Sequence, residues 1–191
     1  SLTSAQLAWI CEKPYADNPA VDAKVNECLH ISHLFQNAHR YDLIHNHYDF
    51  LPLTFSGFVN TPLLTTIHGF SSPLIIPVFK KYNDSTHYIS ISNANRHPEL
   101  DYLATVYNGI DTAAFSFCAH PDDYLLFFGR IHPDKGTKEA IEIAGLAGKK
   151  IILAGLIQDH NYFSRYIQPF INDHNVIYAG NCNPHERDAL L

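Results

Sequence analysis

Several features that often reveal the class of a protein are scarce in this chain. Its 191 residues include no methionine, one tryptophan and four cysteines. The cysteines form no C-x-x-C pair, so the sequence predicts free thiols in a reducing, cytoplasmic environment and not a disulfide framework. No apolar run approaches the ~18 residues that a membrane-spanning helix needs, and the longest candidate is only Pro73 to Phe79. The four cysteines are Cys11, Cys28, Cys118 and Cys182.

Positive charge is scarce as well, with 13 Lys and Arg against 19 Asp and Glu, which gives a net charge of −6. Non-specific nucleic-acid binding needs a basic surface, so no nucleic-acid partner is predicted. Apolar and aromatic residues are abundant, at 46% and 13% of the sequence. This composition supports a packed core and excludes a disordered chain. The length allows one large domain or two small ones.

Short runs of β-branched and aromatic residues alternate with helical stretches along both halves of the chain. The predicted strands cover residues 41–45, 62–67, 87–91, 104–106, 124–128, 150–154 and 176–179. The predicted helices cover residues 21–35, 50–58, 75–82, 94–97, 137–146, 161–171 and 184–191. This alternation is typical of parallel sheets with right-handed crossovers. We therefore predict an α/β protein with two Rossmann-like lobes, residues 1–117 and 118–191, and a seam near residues 112–122.

Both lobes are predicted to be incomplete. Before the first predicted helix, only residues 7–10 are candidates for an opening strand, and residues 13–19 are predicted to form a loop. The sequence stops directly after the helix that begins at Pro184, with no C-cap or further strand. Together with the absence of methionine at position 1, these features favour an internal piece of a longer protein.

The most informative segment runs from Phe127 to Thr137 and reads Phe-Phe-Gly-Arg-Ile-His-Pro-Asp-Lys-Gly-Thr. It joins a predicted buried strand to a predicted amphipathic helix, and it carries two cations, Arg130 and Lys135. Ligands of α/β sheets bind beyond the carboxyl ends of strands, where a helix start adds unpaired N–H groups and partial positive charge. We therefore predict a site for a doubly charged diphosphate at these two cations. The alternative is a pair of solvated loop cations.

A second group of polar residues follows the predicted strands of the first half. His68 comes directly after a strand, where it could meet a ligand, although a histidine bonded to a loop carbonyl is the structural alternative. His45, His47 and Asp49 alternate, and two histidines with a carboxylate form a sound set of metal ligands. Because a turn into a helix is predicted from Asp49 onward, the three side chains should not share a face. No metal site is predicted, and His47 and Asp49 are expected to line a pocket or to be structural.

The segment from Gly129 to Gly136 resembles the donor-site signature Gly-Arg-x-x-Pro-x-Lys-Gly of retaining glycosyltransferases of family 4, which have the two-domain GT-B fold. The resemblance implies that Arg130 and Lys135 hold the diphosphate of a sugar nucleotide. Residues 66–69 resemble the family's T-x-H-G segment, which implies a catalytic role for His68 beside the transferred sugar.

Residues 42–47 are similar to the D-h-h-H-x-H segment of the same family, which lines the acceptor side of its cleft. The resemblance therefore places His47 and Asp49 on the acceptor side. It also implies that the nucleotide lies where the strands of the second lobe end, near Gly129, Gly155, Leu156, Gly180 and Asn181. His68 and Arg130 are then expected to face the same groove between the lobes.

The family resemblance further implies transfer of a sugar from a UDP-, GDP- or ADP-sugar to a hydroxyl acceptor, with retention of configuration and without a metal or other cofactor. Contact with a membrane surface is expected if the acceptor is a lipid. Two parts of the family pattern are missing, because no Gly-rich loop is found in the first lobe and the Glu-x7-Glu segment would lie beyond Leu191. The alternative functions are a sugar-nucleotide 2-epimerase of GT-B fold and a non-catalytic nucleotide- or sugar-binding module.

Overall fold

The structure, a computed structural model, describes residues 4–11 and 20–191. The chain divides into two compact units, Ser1–Gly109 and Ile110–Leu191, just before the predicted seam. Each unit has its own parallel sheet and its own apolar core. The predicted α/β fold with two parallel sheets is therefore confirmed, whereas the roles assigned to residues 1–117 and 118–191 remain predictions.

The first unit contains a four-stranded parallel sheet with the strand order β1-β2-β3-β4. Its strands are β1 (Ile44–Asn46), β2 (Leu63–Ile67), β3 (His87–Ser90) and β4 (Ala104–Thr105). The central strand β2 is apolar or buried along nearly its whole length, as expected for a parallel strand covered on both faces. Since Asn46 pairs with Thr65, the residues that follow β1 and β2 emerge at the same edge of the sheet.

Among the described residues of the first unit, the α-helices are α1 (Ala23–Gln36) and α2 (Ile76–Lys81). The carboxylate of Asp22 caps α1 by accepting a hydrogen bond from the backbone N–H of Val25 at 3.0 Å. The helices and sheet share one apolar core, which also includes the buried ring of Tyr88. Its main buried members are Ile31, Phe35, Leu53, Leu63, Ile67, Phe79, Tyr88 and Leu100.

The second unit contains a three-stranded parallel sheet with the order β5-β6-β7. Its strands are β5 (Tyr124–Phe128), β6 (Lys150–Ala154) and β7 (Val176–Gly180). Its helices are α3 (Thr137–Leu146), the single turn α4 (His160–Tyr162) and α5 (Pro184–Leu190). Ile141 and Ala144 of α3 lie three residues apart on one helix face and pack into the core with Ile131, Leu153 and Ile167.

Three predicted helices differ from the observed elements. Residues 50–58 form a 3₁₀ helix, Leu51–Phe58, in which a proline at position 52 removes one backbone donor. Residues 161–171 do not form one helix, because α4 continues as a π-helix, Phe163–Ile167, and a 3₁₀ turn, Gln168–Phe170, that contains a proline. The helix predicted at 94–97 is a 3₁₀ turn, Asn93–Asn95.

The start of the chain differs from the sequence prediction, whereas the cysteines agree with it. Residues 7–10 form no strand, and the loop predicted at residues 13–19 lies outside the described residues. The four cysteines are free thiols, as predicted. Among the helices in residues 4–11 and 20–191, none has the length and apolar character needed to cross a membrane.

Candidate functional site

Arg130 lies at the carboxyl end of β5, on a segment that is held tightly by the loop after β6. The backbone N–H of Gly129 donates to the carbonyl of Ala154 at 2.9 Å, and that of Ile131 donates to the carbonyl of Leu156 at 2.8 Å. The side chain of Ile131 is fully buried in the core. This anchoring leaves Arg130 on the solvent side, with 45% of its side chain exposed.

The guanidinium of Arg130 has two partners on the same edge of the sheet. It donates hydrogen bonds to the amide oxygen of Gln158 and, at 3.4 Å, to a carboxylate oxygen of Asp134. The other oxygen of Asp134 lies 2.6 Å from Nδ1 of His132. This hydrogen bond, with the positive charges of Arg130 and Lys135, lowers the pKa of Asp134. Asp134 is therefore an anion held among cationic groups, the setting in which a phosphate would also be stable.

The loops after β5 and β6 touch at Gly155. A Cβ atom at this position would lie 1.9 Å from the carbonyl oxygen of Gly129, and the residue has a φ of 147°, which favours glycine. Gly155 also donates its N–H to the carbonyl of Gly180 at 2.8 Å and accepts the hydroxyl of Tyr178 at 2.8 Å. The close approach at Gly155 thus brings the ends of β5, β6 and β7 into one continuous edge.

The predicted nucleotide-binding residues lie along this edge. Gly129, Gly155 and Gly180 are linked through the contacts just described, and Leu156 and Asn181 are exposed beside them. We call the edge formed by residues 129–135, 155–158 and 180–181 the donor rim. The structure brings the predicted residues together at this edge of the sheet.

Lys135 ends a short 3₁₀ turn, and Gly136 joins it to α3 in the left-handed conformation, with φ 70° and ψ 32°. The first turn of α3 is only partly available to a ligand. The backbone N–H of Lys138 donates to the hydroxyl of Tyr162 at 3.1 Å, so one of the N–H groups predicted to be unpaired is satisfied. Binding of an anion at the start of α3 would therefore depend mainly on the charges of Arg130 and Lys135, and less on free N–H groups than the sequence predicted.

His47 and His68 meet at the carboxyl edge of the first unit. They follow the neighbouring strands β1 and β2, and Nδ1 of His47 lies 3.0 Å from Nε2 of His68. His45 lies beside them, with its ring centroid 4.2 Å from that of His47 and its plane tilted by 45°, while its Nε2 lies 2.8 Å from the Thr66 hydroxyl. We call His45, His47 and His68 the histidine cluster.

Crowding within the histidine cluster changes the proton affinity of His47. The pKa of His47 is lowered, chiefly because partial burial of the ring disfavours its charged form. The neighbouring His45 and His68 rings lower it further. The neutral form of His47 is therefore favoured at neutral pH. A neutral imidazole has one donor and one acceptor nitrogen, as the bond to His68 requires.

Asn46 shapes the loop that carries His47, and its importance was not predicted. Its buried amide oxygen accepts the N–H of Tyr48 at 2.9 Å. Its amide nitrogen donates to the hydroxyl of Thr65 at 3.2 Å and to the carbonyl of Asp49 at 3.3 Å. An asparagine directly after the predicted strand 41–45 was the available signal, since such residues commonly bond the backbone two residues on.

Asp49 does not join the histidine cluster. Its carboxylate accepts the hydroxyl of Ser71 at 2.6 Å and so ties together the loops that follow β1 and β2. Among the residues that the structure describes, no group of three His, Cys, Asp or Glu side chains could hold a metal ion.

Two cavities adjoin His47. One, of about 200 Å³, lies between the loops that follow β1 and β2 and is lined by Asp49, Thr66, His68 and Ser71. The other, of about 370 Å³, is lined by residues of α1 and of the loop after β1, including Asn26, Glu27, His30, Leu34, Asn46 and Pro52. His47 and Asp49, the predicted acceptor-side residues, both line the smaller cavity.

Comparisons with known proteins rest on structure alone. No protein-family model matches the chain, and no curated protein matches its sequence. The structure is similar to that of AviGT4, a glycosyltransferase involved in avilamycin A biosynthesis, with a TM-score of 0.55 and 21% identity over 84% of this chain and 46% of that chain. It is also similar to TarM, with a TM-score of 0.53 and 15% identity over 67% of this chain and 30% of that chain.

At these identities the similarity concerns the fold. The chain spans less than half of the length of either protein. Its two parallel α/β units match parts of those larger structures, in agreement with the GT-B fold implied by the motifs. The chain therefore has the fold of part of a GT-B glycosyltransferase.

Proposed function

We propose that the chain is part of a glycosyltransferase that moves a sugar from a nucleotide diphosphate sugar to a hydroxyl acceptor with retention of configuration. The observation that carries the proposal is the donor rim. There Arg130 stands at the end of a parallel strand, on a segment pinned by the buried Ile131 and beside the start of α3. The GT-B fold supports this proposal independently.

In this proposal Arg130 and Lys135 bind the diphosphate and stabilise the charge that develops as the sugar leaves. Charge-assisted contacts from a guanidinium and an ammonium suit phosphate oxygens, and preorganised cations act mainly on the transition state. Gln158 would hold the Arg130 side chain at the donor rim, while Asp134 would release it to the incoming phosphate. No metal or cofactor is needed for this chemistry.

The remaining residues of the donor rim are proposed to hold the nucleotide. Gly129 and Gly180 place no side chain between a ligand and the backbone, whereas Gly155 lets the loops after β5 and β6 close together and so form the donor rim. Leu156, which is 54% exposed, offers an apolar surface to a base, and Asn181 offers a polar side chain. The proposed base of the donor is uracil, guanine or adenine.

His68 is proposed as the catalytic residue that hydrogen-bonds the transferred sugar and the leaving phosphate. His47 and Asp49 are proposed to face the acceptor, since both line the cavity of about 200 Å³ beside His68. A cytoplasmic location is part of the proposal, because the four free thiols suit a reducing compartment. Contact with a membrane surface is proposed only for the case of a lipid acceptor.

The proposal is tested by incubating the full-length gene product with a panel of UDP-, GDP- and ADP-sugars. Release of the nucleotide diphosphate, with a product that keeps the anomeric configuration of the donor by ¹H NMR, is the expected result. Conversion of the donor to its 2-epimer would identify an epimerase instead. Binding without turnover of any donor would identify a binding module, and absence of binding would contradict the proposal altogether.

A further inference from the structure

The hydrogen bond between His47 and His68 gives His47 a role beyond lining the acceptor cavity. The two side chains belong to loops 21 residues apart, and their bond of 3.0 Å joins the ends of two neighbouring strands. It engages Nε2 of His68 and leaves Nδ1 of that ring for a substrate. Because an imidazole has two ring nitrogens with different roles, the partner of one nitrogen determines the state of the other.

We propose that His47 is a positioning residue for His68: through this hydrogen bond it holds the His68 ring in one orientation and one tautomer, so that Nδ1 meets the sugar nucleotide in a defined protonation state. The effect of His47 on catalysis rests on the proposed function. The hydrogen bond between His47 and His68 does not depend on it.

The surroundings of His47 support a fixed ring. The turn formed by Asn46 sets the backbone from which His47 projects, through hydrogen bonds to Tyr48 and Thr65. The His47 ring also contacts the ring of His45, which is tilted by 45° relative to it and is in turn hydrogen-bonded to the hydroxyl of Thr66. Because the His47 ring is in contact with both His45 and His68, its orientation and the position of its Nδ1 are restricted, as is required of a residue that orients another side chain.

The pair also has a defined dependence on pH. One imidazole of a bonded pair must be neutral, and the lowered pKa of His47 favours that state. Protons on both of the facing nitrogens would make each of them a donor and would break the bond. The titratable groups around His47 in the described part of the chain are His45 and His68 in the cluster, Tyr48 and Asp49 in the same loop, and Cys11, Glu27 and His30 across the larger cavity.

Two substitutions separate a positioning role from a packing role. In His47→Asn the side-chain amide reaches the place of Nδ1, because both atoms lie two bonds beyond Cβ, so the hydrogen bond is kept and the ring is lost. In His47→Phe the ring stays against His45 and the hydrogen bond is lost. His87, exposed at the amino end of β3, provides the control His87→Ala.

The kinetic test measures release of sugar from the best substrate among the UDP-, GDP- and ADP-sugars. For His47→Phe we expect kcat to fall about tenfold with little change in KM for the donor, and for His47→Asn we expect a return to within about threefold of wild type. The acid limb of the pH profile should change shape in His47→Phe and remain unchanged in His87→Ala. Full activity in His47→Phe together with a loss in His47→Asn, or a change confined to KM for the donor, would overturn the proposal.

A second measurement does not depend on activity. The ¹⁵N chemical shifts of the His68 ring, read from long-range ¹H–¹⁵N correlation spectra, report its tautomer. We expect one dominant tautomer in the wild-type protein and in His47→Asn, and a mixture in His47→Phe. If the wild-type protein releases no sugar, the proposed function fails while these shifts still decide the pairing. Equal tautomer populations in the wild type and His47→Phe would refute it.

Discussion

Gly155→Ala is the substitution for which the structure gives the clearest physical expectation. The added Cβ atom would lie 1.9 Å from the carbonyl oxygen of Gly129. An ordinary C···O contact is ~3.3 Å, so the loops after β5 and β6 would have to separate by more than about 1 Å. The φ of 147° adds backbone strain, because alanine rarely adopts such a conformation.

The magnitude follows from three contributions. The steric overlap costs about 1–3 kcal/mol, the backbone strain a further ~1–3 kcal/mol, and each hydrogen bond broken between the loops about 1 kcal/mol. The bonds at risk join Gly129 to Ala154 and Gly155 to Gly180. Together these contributions predict a loss of about 4–8 kcal/mol in the free energy of unfolding of the second unit, which is comparable with the ~4–12 kcal/mol of total stability typical of a unit this size.

Urea unfolding followed by circular dichroism measures this loss, and Trp9 fluorescence reports the first unit separately because Trp9 is the single tryptophan. Hydrogen exchange at the amides of Gly129 and Ile131 locates the effect. The control is Gly145→Ala, in the last turn of α3 with no atom within 4 Å of the new Cβ, which should be neutral or stabilising by up to ~1 kcal/mol. Equal stability and exchange in Gly155→Ala and wild type would refute the reasoning.

Two further predictions concern single carboxylates of the second unit. Asp134→Asn should tighten UDP and GDP binding in calorimetry, because it removes a negative charge that competes for Arg130; weaker binding would show that Asp134 supports the ligand. The hydrogen bonds that Ser116 donates to Asp188 lower the pKa of Asp188, so their stabilisation is present above its usual pKa of 3.8 and lost as pH falls through the lowered value. Acid unfolding of Asp188→Asn should lack this contribution, and an unchanged pH dependence of stability would contradict it.

Parts of the fold that depend on local pattern were predictable. The strands at 124–128 and 150–154 and the helix at 137–146 have the predicted bounds, since each is a distinct apolar run or helical repeat punctuated by glycine. The prediction of one continuous helix over residues 161–171 was wrong, because Pro169 interrupts the hydrogen-bond ladder.

The candidate site was predictable in location but not in its contacts. The positions of Arg130 and His68 at the ends of strands could be predicted, because the sequence pattern shows where the strands end. Their partners depend on tertiary structure. Gln158 lies 28 residues from Arg130, and His47 meets His68 only because β1 pairs with β2 in one register. The burial of Asn46 likewise depends on Thr65 of the neighbouring strand.

The central claim is that Arg130 and Lys135 bind a nucleotide diphosphate, and calorimetry with UDP, GDP and ADP tests it most directly. Arg130→Ala and Lys135→Ala should each weaken binding of the preferred nucleotide by about 1.5–3 kcal/mol, or roughly ten- to hundredfold. Lys149→Ala, which removes a cation paired with Asp123 next to the amino end of β6, should leave the affinity unchanged. Unchanged affinity for all three nucleotides in both Arg130→Ala and Lys135→Ala would contradict the account.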